Sequence, residues 1–182
     1  SIGMDTIFYP VNPQMGSMYH SSYLKQNPAL SKDGGFSLKD PLKSLIKESE
    51  SSGLSLCAVI SPFDLGNVSY NEEYNTRASD YPQLVKQNGN SLFLDPSQEE
   101  VWKLIGNLSL ELVSNYKING VVIDFNDCFT KYGASLPALK NIMLSVRDNV
   151  RRRSSVVKIG VIFPKEMMEL FSQQEILSFL KE

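Results

Sequence analysis

Side chains that bind metals are scarce in this 182-residue chain, which contains two cysteines and one histidine. Cys57, Cys128 and His20 are too few ligands for a structural zinc site, so we expect no metal centre. Cys57 falls inside an apolar run and is predicted to be a small core residue. The sequence does not place the two cysteines relative to each other, and we predict that both are free thiols.

The chain also lacks an excess of charge and a long hydrophobic run. Lys and Arg total 18 against 20 Asp and Glu, a formal net charge of -2, so we expect no nucleic-acid partner. The longest apolar stretch, Leu56–Ile60, is far too short to span a bilayer. Ser1–Thr6 shows no basic segment followed by an apolar one, so we expect no signal peptide there. Hydrophobic residues make up 42%, which is typical of a globular domain.

Strand and helix patterns alternate along the chain. β-branched and apolar runs predict four strands, at Asp5–Val11, Leu54–Ile60, Gly120–Phe125 and Val156–Phe163, with a short extended piece at Ser91–Leu94. Caps and apolar spacing predict helices from Asp40-Pro41 to Gly53, from Asp95–Ser97 to Asn119-Gly120, over Leu136–Arg153, and over Met167–Leu180 with a break near Ser172. Strands joined by helices indicate a parallel α/β fold with right-handed crossovers.

Two connections are long for a compact domain, Asn12–Lys39 and Ser61–Leu94. Both follow the carboxyl end of a predicted strand. Parallel α/β folds bind their ligands at that end of the sheet, whether the sheet is open or closed into a barrel. We therefore expect a binding site among these loops.

The chain has the pattern of part of a larger unit. Ser1–Gly3 has the pattern of a helix end, and a helix pattern runs to Glu182 with no strand after it. Four strand–helix units are half of an eight-stranded barrel. We expect a single domain over residues 1–182 that is a fragment of a longer polypeptide. Such a half barrel would expose two strand edges and apolar interior, so we expect it to pair with the rest of its barrel or to self-associate.

Five segments carry motifs of a known family. They are Gly3–Pro13 followed by Met18–Tyr23, Asp40-Pro41-Leu42, Ser61-Pro62-Phe63, Leu94-Asp95-Pro96 with Glu100-Val101, and Tyr116 with Gly120–Asp124. In this order they resemble the bacterial glycosyl-hydrolase-like barrels of the glycosyl-hydrolase-like ten type. The resemblance implies strands two to five of a (β/α)8 TIM-type barrel. It also implies a secreted or cell-envelope hydrolase whose substrate is a polysaccharide such as peptidoglycan.

The chain departs from the family pattern at three polar positions. Asn12 stands where the family has Arg, and Ser61 stands where it has Asn. The paired aspartates after the later strand become Asp124-Phe125, and the next acid is Asp127. These departures keep two interpretations open: a glycan hydrolase, or a carbohydrate-binding barrel that has lost catalysis.

Asp124 is the leading candidate for catalysis, because an acid directly after a buried strand lies at the mouth of a barrel. Glycosyl hydrolysis uses two carboxyl groups, an acid and a base or nucleophile. Asp127, Glu166 and Asp64 are candidates for the partner, Asp64 also as a substrate-binding residue. The alternative for each is a loop-capping or helix-starting acid.

Aromatic and polar residues near the strand ends are candidate substrate-binding groups. Tyr9, Tyr19 and Phe63 could stack on the apolar faces of sugar rings, or pack in loops. His20, Asn12 and Ser61 could hydrogen-bond sugar hydroxyls. An open, doubly wound domain that binds a small ligand is the remaining alternative. Against it, no Gly-x-Gly-x-x-Gly or phosphate loop follows a strand, and we expect no cofactor.

Overall fold

A computed structural model describes residues 5–14, 16–30, 40–69, 80–170, 172 and 174–175. The four predicted strands are present, each within a few residues of its expected bounds. Three further strands follow the second one. The seven strands are β1 (Thr6–Pro10), β2 (Ser55–Ile60), β3 (Asp64–Asn67), β4 (Val85–Asn88), β5 (Ser91–Leu94), β6 (Gly120–Asp124) and β7 (Lys158–Ile162). Residues 1–4 and 31–39, on which parts of the predictions fell, lie outside the described residues.

The described helices begin and end close to the predicted capping residues. They are α1 (Pro41–Ser51), α2 (Glu99–Asn115), α3 (Leu136–Arg153) and α4 (Lys165–Leu170), with single 3-10 turns at Pro28–Leu30 and Pro82–Leu84. The Asp40 side chain caps α1 by accepting from the Lys43 N–H, and Gly53 follows its end with φ of 69°. None of the helices described here is long and apolar enough to cross a membrane.

Helix α2 is shorter than predicted. It begins at Glu99, after Ser97, whose hydroxyl donates to Asp95 at 2.7 Å, and it ends at Asn115, before the predicted stop at Asn119-Gly120. The predicted break near Ser172 is confirmed, since α4 ends at Leu170 and a capping box forms at Ser172. There Glu175 Oε2 accepts from the Ser172 N–H at 2.8 Å, and the Glu175 N–H donates to Ser172 Oγ at 3.3 Å. Residues 176–180 of that prediction lie outside the described residues.

The main sheet is parallel, with strand order β1-β2-β6-β7. Phe8 pairs with Cys57, and Cys57 pairs with Gly120, so the strand starts are closely aligned. A doubly wound sheet reverses its strand order at the ligand-binding crevice, whereas a (β/α) barrel adds strands in chain order. The described strands follow the barrel rule, which confirms the parallel α/β class.

The sheet has two different faces. On one face Leu56, Ala58 and Ile60 join the main hydrophobic core beneath the helices. On the other face Cys57, Val59 and Val122 form a small separate cluster. That second face corresponds to a barrel interior, because side chains alternate between the faces of a strand.

The connection Ser61–Leu94 is not the plain loop that its sequence indicates. It contains a three-stranded antiparallel sheet of order β3-β5-β4. Asp95 joins this sheet to the start of α2, since its carboxylate pairs with Lys86 Nζ at 2.8 Å and accepts from the Ser97 N–H at 3.0 Å. The prediction missed β3 and β4 because each is only four residues long and mostly polar.

Candidate functional site

A cavity of about 150 Å³ lies at the carboxyl ends of β2 and β6. Parallel strands bring their carboxyl ends to one edge, so residues far apart in the chain meet here. The lining residues are Ser61, Pro62, Phe63, Asp64, Asp124, Asn126, Asp127 and Tyr132. Five of these, Ser61, Phe63, Asp64, Asp124 and Asp127, are residues that the sequence put forward.

Asp124 ends β6 and is partly buried. It lies two residues after Val122, so strand alternation directs it to the barrel-interior face. Asp124 Oδ1 accepts a hydrogen bond from the Asn126 N–H at 3.0 Å. That contact is the loop-capping alternative, but it uses only Oδ1, and Oδ2 accepts no hydrogen bond from any of the described residues. One carboxylate oxygen is therefore available to a ligand.

Asp64 has more protein partners. Its carboxylate accepts from Gln14 Nε2 at 2.6 Å and from the Gly66 N–H at 3.0 Å. Lys131 Nζ lies 3.7 Å from Asp64 Oδ1, and Tyr132 is close enough for the charge of this carboxylate to raise its pKa. With these donors around it, Asp64 is suited to holding the loops together and to contributing fixed negative charge.

Tyr132 is a residue of the cavity that the sequence did not reveal. Its ring centroid lies 5.9 Å from that of Phe63 and 5.5 Å from that of Phe93, with Lys131 Nζ 5.1 Å away. Burial raises the pKa of Tyr132, and the charge of Asp64 raises it further. Tyr132 therefore keeps its proton at neutral pH and acts as a hydrogen-bond donor.

Asp127 is exposed at the rim of the cavity, in the loop after Asp124. Its φ is 59°, the left-handed region, which Asp tolerates better than most residues. Its backbone carbonyl accepts from the Lys131 N–H at 2.9 Å, which closes the turn towards Tyr132. The turn therefore fixes both the rim acid and the buried tyrosine.

Four of the expected substrate-binding residues, Asn12, Tyr9, Tyr19 and His20, lie outside this cavity. Asn12 is 1% exposed, and its amide bridges to the backbone of Ser61, accepting from N–H at 2.9 Å and donating to C=O at 3.1 Å. This pair continues the pairing of β1 and β2 beyond the strand ends. Tyr9 packs against the main core on the helix-facing side of β1. Tyr19 is 1% exposed and lies beneath its own loop.

Glu111 on α2 holds the Tyr19 loop and was not anticipated. It is buried, and it accepts from the Tyr19 hydroxyl at 2.9 Å, Ser21 Oγ at 2.7 Å and the Ser22 N–H at 2.5 Å. Burial raises the pKa of Tyr19, and the charge of Glu111 adds to this. No local sequence signal marks such a contact, because Tyr19 and Glu111 are 92 positions apart.

The remaining candidates are placed as follows. His20 lines a different groove, beside α1. Glu166 lies in the short helix α4 after β7, and its side chain is outside what the structure describes. Cys57 and Cys128 are buried free cysteines. Across the described ranges, no three His, Cys, Asp or Glu side chains are grouped so that they could hold a metal ion.

Taken together, the chain-ordered parallel sheet, the outer helices and the acids at the strand ends define an α/β protein of the barrel type, with its candidate site at the usual end. The family model of glycosyl hydrolase-like 10 matches residues 1–141. The chain therefore belongs to the glycosyl hydrolase-like 10 family, as its motifs predict.

Curated relatives carry the same family description, and a solved structure shares the fold. The glycosyl hydrolase DigH of Escherichia coli (strain K12) is 26% identical over 162 residues, 74% of this chain and 36% of the relative. DigH of Shigella flexneri matches equally. The chain thus spans about a third of the length of these relatives. Alpha-L-fucosidase isoenzyme 2 from Paenibacillus thiaminolyticus has a TM-score of 0.66 at 13% identity, covering 96% of this chain and 29% of that one. This likeness shows the fold alone, which is of the TIM-barrel type.

Proposed function

We propose that the chain forms part of a glycoside hydrolase that cleaves O-glycosidic bonds in a polysaccharide, such as cell-wall glycan. In such a reaction one carboxylic acid protonates the leaving oxygen, while a second carboxylate activates water or attacks the anomeric carbon. Membership of the family and the DigH relatives support the reaction class. The cavity at the strand ends supports the location of the site.

The observation that carries the proposal is the available oxygen of Asp124 in this cavity. Asp124 takes one of the two carboxyl roles. Asp127 is exposed at the same rim and is the described residue best placed to be its partner. Asp64, held by Gln14 and Lys131, supplies negative charge that stabilises an oxocarbenium-like transition state. Glu166 remains a predicted alternative to Asp127.

Tyr132 has a supporting role in this scheme. It stays protonated beside the carboxylates of Asp64, Asp127 and Asp124, whose charges raise its pKa. In the proposed scheme its hydroxyl is placed to donate to a neighbouring carboxylate without giving up its proton. We assign it as a positioning residue rather than a catalytic one.

A carbohydrate-binding protein without catalysis is the second candidate. Two observations favour it: the cavity of about 150 Å³ is smaller than the roughly 300–1,000 Å³ of ordinary ligand sites, and Asp64 is already occupied by protein donors. In that case Asp124 would hydrogen-bond sugar hydroxyls. The same side chains would contact the sugar in a hydrolase and in a binding protein, so only a measurement of turnover distinguishes the two functions.

The test is release of reducing ends from purified glycan strands by the full-length protein and its Asp124→Asn variant. We expect wild-type release to fall at least about a hundredfold in the variant, the size expected for loss of an acid–base group. Asp148→Asn is the matched control, since Asp148 is an exposed acid on α3 that bonds to its neighbour Arg147. Equal activity of the wild type and the Asp124 variant would refute the catalytic role.

Absence of release from the wild type, together with retained glycan binding, would instead establish the binding protein. We also propose a cell-envelope or extracellular location and a polysaccharide as the main partner, on the strength of the family motifs. Fractionation of cells that produce the full-length protein, followed by detection in the envelope and medium, tests the location.

A further inference from the structure

A second and larger recess lies beside α1. It is a groove of about 750 Å³ between α1 and the segment that follows α2, within the size range of small-ligand sites. Lys43 and Lys47 belong to the α1 wall, and Tyr116 and Lys117 form the opposite wall. The groove shares no lining residue with the cavity around Asp124.

Lysines lie on both walls of the groove. Lys43 and Lys47 are exposed and one helical turn apart, and neither forms an ion pair with any residue in the described ranges. Like charges at this spacing repel each other. Lys117 completes the set from the other wall, where it also contacts Glu50 at 2.6 Å. In a chain whose formal net charge is -2, this concentration of lysine is a local exception.

The one carboxylate in the groove does not neutralise these lysines. Asp40 accepts from the Lys43 backbone N–H at 3.1 Å as the cap of α1, and it also accepts from the Tyr116 hydroxyl. The His20 N–H lies 3.5 Å from the same carboxylate. Asp40 is therefore bound to the backbone and to an aromatic hydroxyl, and the ammonium groups of Lys43 and Lys47 remain available to a ligand.

We propose that this groove binds a ligand that carries two or more carboxylate or phosphate groups. Lysines four residues apart on a helix have Cβ atoms about 5–6 Å apart, so two neighbouring anionic groups of one ligand can pair with Lys43 and Lys47. Lys117 then contacts the ligand from the opposite wall. The proposal does not depend on the hydrolase assignment, because binding here needs neither Asp124 nor turnover.

Two probes separate the possible sources of the anion. In isothermal titration calorimetry at low salt, the full-length protein is titrated with tripolyphosphate, which represents phosphate ligands, and with trigalacturonate, which represents acidic saccharides. Maltotriose is the neutral control of equal sugar length. We expect saturable binding of at least one anionic probe, no binding of maltotriose, and weaker binding as salt is raised.

The Lys43→Met/Lys47→Met variant should weaken that binding at least tenfold, since it removes two charges from one wall. The control variant, Lys103→Met/Lys158→Met, removes two exposed charges elsewhere and should bind as the wild type does. The Lys43→Gln/Lys47→Gln variant removes the same two charges but keeps polar side chains, and we expect the same weakening of binding. Failure of both anionic probes to bind, or equal binding by the groove and control variants, would overturn the proposal. Glycan hydrolysis is measured in parallel, so that loss of one property is distinguished from loss of the other.

Discussion

Asp95 offers the most quantitative test of how the small antiparallel sheet is joined to the helix layer. Its side chain is 6% exposed and contacts Lys86 on β4. Burial acts to raise the pKa of Asp95, but the hydrogen bonds from Lys86, Ser97 and Gln98 outweigh it. They bring the pKa to about 2, below the ordinary 3.8. The ionised carboxylate therefore stabilises the fold.

The magnitude follows from this difference in pKa between the folded and unfolded chain. At about 1.4 kcal/mol for each pH unit, ionised Asp95 contributes about 2 kcal/mol to the free energy of unfolding at neutral pH. A lowered folded pKa stabilises above the unfolded pKa, and the contribution is lost as the pH falls through about 2. By the same linkage between protonation and folding, Asp95 still contributes about 1 kcal/mol to the free energy of unfolding at a pH of about 3.

Urea unfolding of the Asp95→Asn variant measures this contribution. Trp102 is a convenient probe, because it is the single tryptophan and its Nε1 donates to the Pro96 carbonyl at 2.7 Å, next to Asp95. We expect the variant to be less stable than the wild type by about 2 kcal/mol at neutral pH, and by about half of that near pH 3. Asp148→Asn, which removes an exposed acid, should change stability by less than about 0.5 kcal/mol. A loss in Asp95→Asn no larger than in this control, or a loss that stays constant with pH, would refute the reasoning.

Three further predictions concern the packing around the sheet. Glu111→Gln replaces a buried carboxylate that accepts three hydrogen bonds. It should lower the free energy of unfolding, measured in urea titrations, by about 2 kcal/mol. An unchanged urea midpoint would show that Glu111 does not stabilise the Tyr19 loop. Gly106→Ala places a methyl group 2.2 Å from Ser145 Oγ, at the contact of α2 and α3. Although alanine favours helices, this clash should lower the free energy of unfolding by about 1 kcal/mol, which thermal melts would detect. A raised melting temperature would count against this reasoning. Phe8 is 59% exposed on the barrel-interior face, so the 182-residue chain should self-associate in sedimentation velocity runs, and Phe8→Glu should shift it towards monomer. A wild type that sediments as a clean monomer would disprove this.

Local sequence was sufficient for most of the secondary structure. Asp40 before Pro41 caps α1 as predicted, and Leu136–Arg153 is helical over its full predicted length. The four parallel strands are recognisable from their apolar and β-branched runs, and parallel strands end at a common edge. For that reason the sequence also predicts that Ser61, Asp64 and Asp124 lie at the same edge, as they do.

Tertiary structure alone decided which side chains fill that edge and which turn away. Tyr132 enters the cavity because Phe63 and Phe93 pack around its ring, and Tyr19 leaves the surface because Glu111 accepts its hydroxyl. A helix or strand fixes the directions of its side chains through its own period. A loop has no such period, so its side chains take the directions that distant contacts impose on them. Those contacts join residues tens of positions apart, and no pattern within the loops themselves records them.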